Sequence, residues 1–417
     1  MSGQSSTFRG GVGVLGLLAL CAFVQVCVSR APPAVLSSSA PPAILSEPAF
    51  EFAYRGNAVA DMQFSPDGRK IALVTFESKI RDRYGARFAA RIYNLPRGTL
   101  DHELPGGAWK SAWTMDGSIL ALPRRNDAKE IDLWDTRTWT VRQSLDMHYP
   151  KSLDTQPYVV RFCFDQHSNL YIAEFEYGFE GYGFGTTLEY SPRVWWHLGD
   201  HWGPEAELFG FCSHPTPYSD SIAPYDLSVS SVGKETRVAF TSWNCWAQIL
   251  KVRENIAGKG SVELEFSARI GGWIKLTPDG QKLVWFHGQP PSDDSQKPPD
   301  ATTKSEPRYI EADELRVLRL FEDHVKTLGS QTVALEPPMD TWAPELMDVS
   351  RDGEFAAICT RRGINIHQIP SCRPVAEIPT KFEVSTAICF SPDGHFLAVD
   401  DQVRHVIRFY RVPQLAR

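Results

Sequence analysis

This chain of 417 residues has no Gly-x-Ser-x-Gly elbow, no His-Glu-x-x-His pair, no phosphate loop, no Cys-x-x-Cys pair and no Asn-x-Ser/Thr acceptor. The first three absences remove the usual linear signatures of an activated serine, a helix-borne zinc and a nucleotide cradle. A site assembled from one residue per repeat would leave no such trace, so chemistry as a whole is not excluded. Positive charge is also in short supply: 43 Lys plus Arg stand against 50 Asp plus Glu, for a net charge of -7. Without a broad positive field, nucleic acid is not an expected partner. No motif calls for a cofactor or a metal. Of the eight cysteines, Cys21 and Cys27 fall in an apolar N-terminal run and the other six are scattered. Scattered cysteines are expected as small buried hydrophobes, with Cys212 and Cys245 the first pair to test for a disulfide.

Long hydrophobic runs are confined to one place. Val12 to Val28 is almost uninterruptedly apolar, with Arg9 before it and Arg30 after it. That length is at the short limit for a spanning helix and above the usual apolar core of a signal peptide. An uncleaved membrane anchor over 1–30 is the expected reading, and a removed secretory signal is the alternative. Gly11, Gly13 and Gly16 match a dinucleotide fingerprint by letters only, since no strand precedes them. Ala31 to Pro48 is rich in Ala, Pro and Ser and nearly uncharged, the composition of an extended linker over 31–48. The rest of the chain, 49–417, is then an extracytoplasmic domain tethered to the membrane or secreted.

What is abundant is punctuation, with 30 Gly and 30 Pro, and one recurring phrase. Phe64-Ser65-Pro66-Asp67-Gly68 returns as Leu276-Thr277-Pro278-Asp279-Gly280 and Phe390-Ser391-Pro392-Asp393-Gly394, with worn copies at Trp113, Phe164 and Val349. Aligned on the last apolar residue before each turn, seven units begin at Phe64, Trp113, Phe164, Val229, Leu276, Val349 and Phe390, spaced 41 to 73 residues apart. A four-stranded propeller blade occupies about 40–45 residues. Two residues before each anchor stand Met62, Ser111, Phe162, Leu227, Ile274, Met347 and Ile388, which share the anchor's face of a strand. The residues between, Gln63, Ala112, Cys163, Ser228, Lys275, Asp348 and Cys389, form a mixed column on the other face. In each turn Pro sits where its fixed φ suits a type I turn and Gly where a positive φ costs little.

On these repeats the chain resembles the WD40-like β-propeller family, in its FSPDG-type branch, over residues of about 50 to 413. Trp134-Asp135 is the one full Trp-Asp signature, and the Gly-His pair usual before a first strand is absent. The resemblance implies an all-β propeller; the seven units make it seven-bladed, and the apolar run places one N-terminal hydrophobic helix ahead of it. The last unit has no room for a fourth strand, whereas Phe50 to Tyr54 stands unemployed ahead of the first. That N-terminal strand is expected to complete the final blade and close the ring.

Long insertions fall at Lys79 to Phe88, Tyr177 to Thr187 and Gln289 to Glu314, between second and third strands, and at Gly203 to Tyr225, ahead of the fourth unit. All four positions open on one rim, which is the expected partner-binding face. Tyr177, Phe179, Tyr182, Phe184, Trp195, Trp196 and Trp202, loosened by glycines, are the candidate contact residues; an extended hairpin packed on its own blade is the plainer account. Arg81 and Arg83 belong to a basic loop that either grips an anion or is simply solvated. His197 and His201, four apart on an expected strand, are too distant for a shared metal. The leading expectation is a non-catalytic protein-interaction platform with an unidentified protein partner. The alternative is a propeller hydrolase or lyase with its site in the central channel, where Gln63, Lys275 and Asp348 are the hint.

Overall fold

A computed structural model describes residues 41–76, 88–106, 110–124, 130–146, 161–173, 176–177, 187–189, 192–198, 201–207, 214–215, 224–242, 247–253, 261–268, 273–287, 313–320, 325–333, 347–360, 363–379 and 387–414. Every regular element among them is a strand. The expected N-terminal hydrophobic helix lies outside the described residues, and no helix among those described is long and apolar enough to cross a membrane.

Two short strands come first, β1 (Ala43–Ile44) and β2 (Phe50–Ala53). A four-stranded antiparallel meander follows, β3 (Ala58–Phe64), β4 (Lys70–Phe76), β5 (Phe88–Asn94) and β6 (Thr99–Pro105), and then a second, β7 (Ala112–Trp113), β8 (Ile119–Pro123), β9 (Glu130–Asp135) and β10 (Thr140–Asp146). The third sheet starts with β11 (Arg161–Phe164) and β12 (Leu170–Ala173), is interrupted by β13 (Glu176–Tyr177) and β14 (Thr187–Glu189), and finishes with β15 (Pro192–Leu198) and β16 (His201–Glu207). After β17 (His214–Pro215) come the fourth sheet, β18 (Pro224–Val232), β19 (Glu235–Ser242), β20 (Ala247–Arg253) and β21 (Ser261–Ala268), and the fifth, β22 (Trp273–Leu276), β23 (Lys282–His287), β24 (Asp313–Leu320) and β25 (Val325–Val333). Next are β26 (Met347–Val349), β27 (Phe355–Thr360), β28 (Gly363–Gln368) and β29 (Arg373–Pro379), and last β30 (Ile388–Phe390), β31 (Phe396–Asp401) and β32 (Val406–Arg411).

Six sheets are plain four-stranded ones, where the sequence led us to expect seven alike. The sheet built from β26 to β29 departs from that form because β1 adds a fifth strand, pairing parallel to β29 on its outer edge. The last sheet runs β2-β32-β31-β30, so the early strand does complete it, with Phe50 opposite Phe409 and Phe52 opposite Ile407. First strands stand side by side, β7 by β11, then β18, β22, β26 and β30, and β30 returns to β3. A ring of sheets closed by its own N-terminal strand is a β-propeller.

Burial follows this plan. Second strands are enclosed by neighbouring sheets: every residue of β8 and of β27 is buried. Outer strands such as β6 and β29 are mostly exposed or half-buried, as strands covered on one side are. The residues two before each anchor, from Met62 to Ile388, are all buried. Ser111, the polar exception, donates its amide and hydroxyl to Asp61 at 2.8 and 2.6 Å. Cys359, Cys372 and Cys389 are buried, in keeping with a packing role; Cys212 and Cys245 lie outside the described residues.

Turn chemistry repeats from sheet to sheet. In the first, Ser65 donates to Asp67 at 2.6 Å, Asp67 accepts from the Arg69 amide at 3.0 Å, and the Lys70 amide donates to the Ser65 hydroxyl at 2.9 Å. Gly68 takes the positive φ of 70° that this geometry requires. Asp116, Asp279, Asp352 and Asp393 hold their turns in the same way.

Candidate functional site: the axial cavity

The first strands of a propeller meet at its axis, and their mixed column faces inward. A cavity of about 180 Å³ lies there, lined by Gln63, Lys110, Cys163, Leu227, Ser228, Val229, Lys275 and Asp348. Five of these belong to the mixed column, including the three that the sequence placed near the axis. At about 30 Å³ per water, the space matches roughly six water-sized groups.

Most of the polar groups in the wall tie one sheet to the next. The Ser228 hydroxyl accepts from the Leu276 amide at 2.9 Å, and Asp348 accepts from the Phe390 amide at 2.7 Å. Those are equivalent bonds: the residue before one anchor receives the backbone N–H of the next anchor. Lys275 reaches Asp226 at 2.9 Å and Lys110 reaches Asp61 at 3.2 Å. Both acceptor carboxylates are buried and stand three residues ahead of their anchors. Both also follow a β-bulge, between Val59 and Asp61 in β3 and between Pro224 and Asp226 in β18. A bulge re-aims the residue after it, which turns each aspartate toward the lysine of the next sheet. Two buried ion pairs, each crossing a joint between sheets, neutralise the lysines of the cavity wall.

At the turn-bearing end of the axis, Arg351 donates to the Pro66 carbonyl at 3.3 Å, skipping the turn at Ser391 to Gly394 in ring order. Gln166 donates to the Pro278 carbonyl at 3.1 Å, skipping the turn at Val232 to Lys234 in ring order. These two bonds are chords across the ring of turns. Because successive strands alternate in direction, second-to-third and outer-to-inner connections open at the opposite end.

Of the predicted contact segment, the structure describes part and divides it between elements. Trp195 and Trp196 lie in β15 and Trp202 in β16, so they belong to the third and outer strands of the third sheet and not to an insertion. The long gap filled by β13 and β14 hid that count. Likewise the segment read as a connector from Gly203 begins inside β16, which runs to Glu207. Tyr177 ends β13; Phe179, Tyr182, Phe184, Arg81 and Arg83 lie outside the described residues. β13, β14 and β17 form a three-stranded sheet of their own, joining an insertion within the third sheet to the connection leading into the fourth. His197 and His201 do not share one strand: they fall in β15 and β16 of a hairpin, opposite Trp202 and Leu198 respectively. No group of three metal-ligating side chains occurs among the described residues.

Lys110, Asp61 and Asp226 were not foreseen as part of the axis. Alternation along the strand fails at the two bulges, so the sequence carries no regular signal for the aspartates. Lys110 was detectable as the one charged residue between Trp109 and Trp113.

Comparison with known proteins bears on the fold. No protein-family model and no curated protein matches the chain. Among solved structures, it is similar to the Cps50 (Swd1) β-propeller domain of Myceliophteria thermophila, with 13% identity and a TM-score of 0.52, over 87% of this chain and 99% of that one. The similarity establishes a β-propeller fold.

Proposed function

We propose that this WD40-like propeller is a non-catalytic protein-interaction platform of the FSPDG-type branch, tethered to a membrane by its N-terminal apolar segment and displayed outside the cytoplasm. The reading keeps seven blades by taking the five-stranded sheet as a four-stranded blade to which β1 is added. The observation that carries the reading is the small sheet of β13, β14 and β17. It builds two separate connections into a structure of their own on the rim where loops of a rigid scaffold present binding residues. Aromatic and glycine-rich sequence between β13 and β14 supplies contact area at low entropic cost. A pull-down from the native membrane fraction with wild type and with a 179–184 deletion tests it. Loss of specific partners with an unchanged melting temperature supports the platform, and an identical partner set overturns it. Mass measurement of the mature N-terminus decides the tether: an intact segment supports an anchor, and a start near residue 30 replaces it with secretion.

The axial cavity favours a second reading, a hydrolase or lyase working in the channel. Its polar wall is the specific observation. Against it, Ser228, Asp348, Lys110 and Lys275 already serve as ties between sheets.

A further inference from the structure

The place where the ring closes is built differently from the other joints. β2 reaches the last sheet only through β32, and the chain then crosses to the first sheet through Tyr54 to Asn57. This crossing is pinned from both sides: the Tyr54 amide donates to the His405 carbonyl at 3.0 Å, the Arg55 amide donates to the Tyr93 hydroxyl at 3.1 Å, Arg91 donates to the Arg55 carbonyl at 3.0 Å, and the Asn57 amide donates to the Phe76 carbonyl at 2.8 Å. Beneath it, in β31, lies Asp400 with no solvent exposure. Neither carboxyl oxygen completes a well-aligned hydrogen bond, nor does the buried Tyr54 hydroxyl, although that hydroxyl, the Gln402 side chain and the Val59 amide are the donors beside it. An unpartnered carboxyl in such a place favours its neutral form.

The groups around Asp400 come from every neighbouring element. The Tyr54 hydroxyl follows β2, the Val59 amide belongs to β3, and Gln402 follows β31. Asp401 adds a like charge, itself paired with Arg408 of β32 at 3.0 Å, and Arg408 also reaches Glu51 of β2 at 3.2 Å. His405 packs edge-on against Tyr54 at 5.8 Å, and Tyr93 of β5 is close enough to act electrostatically on the Tyr54 hydroxyl. Asp61 of β3 is buried but held by Lys110. Just ahead of β30, the Ala387 carbonyl takes the Asp400 amide at 3.0 Å. Among these, no cation pairs with the Asp400 carboxyl itself.

We propose that Asp400 and Tyr54 form a proton-controlled latch on ring closure: the neutral carboxyl holds the β2 joint shut, and its ionisation loosens β2 from the last sheet. Burial, reinforced by Asp401, pushes the Asp400 carboxyl up to about 7. A group raised on folding contributes its full stability below the ordinary carboxylate value, and loses it as pH rises toward the folded value. The window therefore runs from about pH 4 to about pH 7. Opening the joint hydrates the carboxylate, so ionisation favours the open form locally.

Hydrogen–deuterium exchange on the full chain at pH 5.5 and pH 8, corrected for intrinsic exchange, tests the latch. Protection of the peptide covering β2 should fall about tenfold or more between the two, while that of β23 changes little. Asp400→Asn should abolish this difference. Tyr54→Phe, which removes a donor to the ionised form, should move the midpoint upward. The latch is overturned if β2 and β23 respond alike in the wild type, or if Asp400→Asn leaves the response of β2 intact. Should Asp400→Asn not fold, an unmoved midpoint in Tyr54→Phe overturns it.

Discussion

The joint where the chain closes on itself and the joints where it merely continues use different chemistry. Between the first and second sheets, and between the fourth and fifth, a buried aspartate behind a bulge takes a lysine from the next sheet. Between the last and first sheets the work is done by aromatic packing, with Phe52 against Tyr93 at 5.0 Å and Phe64 edge-on to Phe409 at 6.0 Å, beside a carboxyl without a cation. Continuing joints are covalently guaranteed by their loops and can carry charge pairs whose net worth is small. A closing joint must be found by a strand far away in sequence, and apolar area rewards that search without demanding exact ion geometry.

Breaking one partner of a continuing joint should have the largest effect. Asp61→Ala leaves Lys110 buried without its carboxylate and should cost about 3–5 kcal/mol in urea unfolding; a loss below 1 kcal/mol would show that the pair is well solvated. The closing joint is sharpened by Gly98→Ala. Gly98 has a φ of +65°, and a Cβ there would lie within 3 Å of the Phe52 side chain. Displacing Phe52 should cost about 1–3 kcal/mol, with extra exchange confined to β2. Equal loosening of β23 would erase the distinction between the joints.

The turns should give the smallest effect, of opposite pH sign to Asp400. Partial burial works to raise the Asp67, Asp279 and Asp393 carboxyls, but bonds from the turn hydroxyl and from the amide two residues on outweigh it and hold them low. Their contribution is present above the ordinary carboxylate value and is lost as pH falls through the lowered one. Ser391→Ala, which removes donors and acceptors of one turn, should cost about 1 kcal/mol at pH 7 and less at pH 3, measured by thermal unfolding.

Much of the architecture was legible because each repeat states the same local rule. The Pro-Asp-Gly turns located the first strands, and the column from Gln63 to Asp348 marked the axis without any coordinate. The spare segment at Phe50 revealed how the ring is closed. What could not be read depends on contacts between repeats. The bulges ahead of Asp61 and Asp226 break the alternation on which the columns rest. β1 joins β29 through two residues whose sequence has no strand signal of its own. Trp195, Trp196 and Trp202 were assigned to a loop because β13 and β14 interrupt the spacing of the sheet they complete.

The Arg351 and Gln166 chords brace the turn-bearing end of the ring. Each joins turns two sheets apart, so the sheets cannot splay at that end without parting it. Loops at the opposite rim can therefore change shape while the spacing of the turns is held.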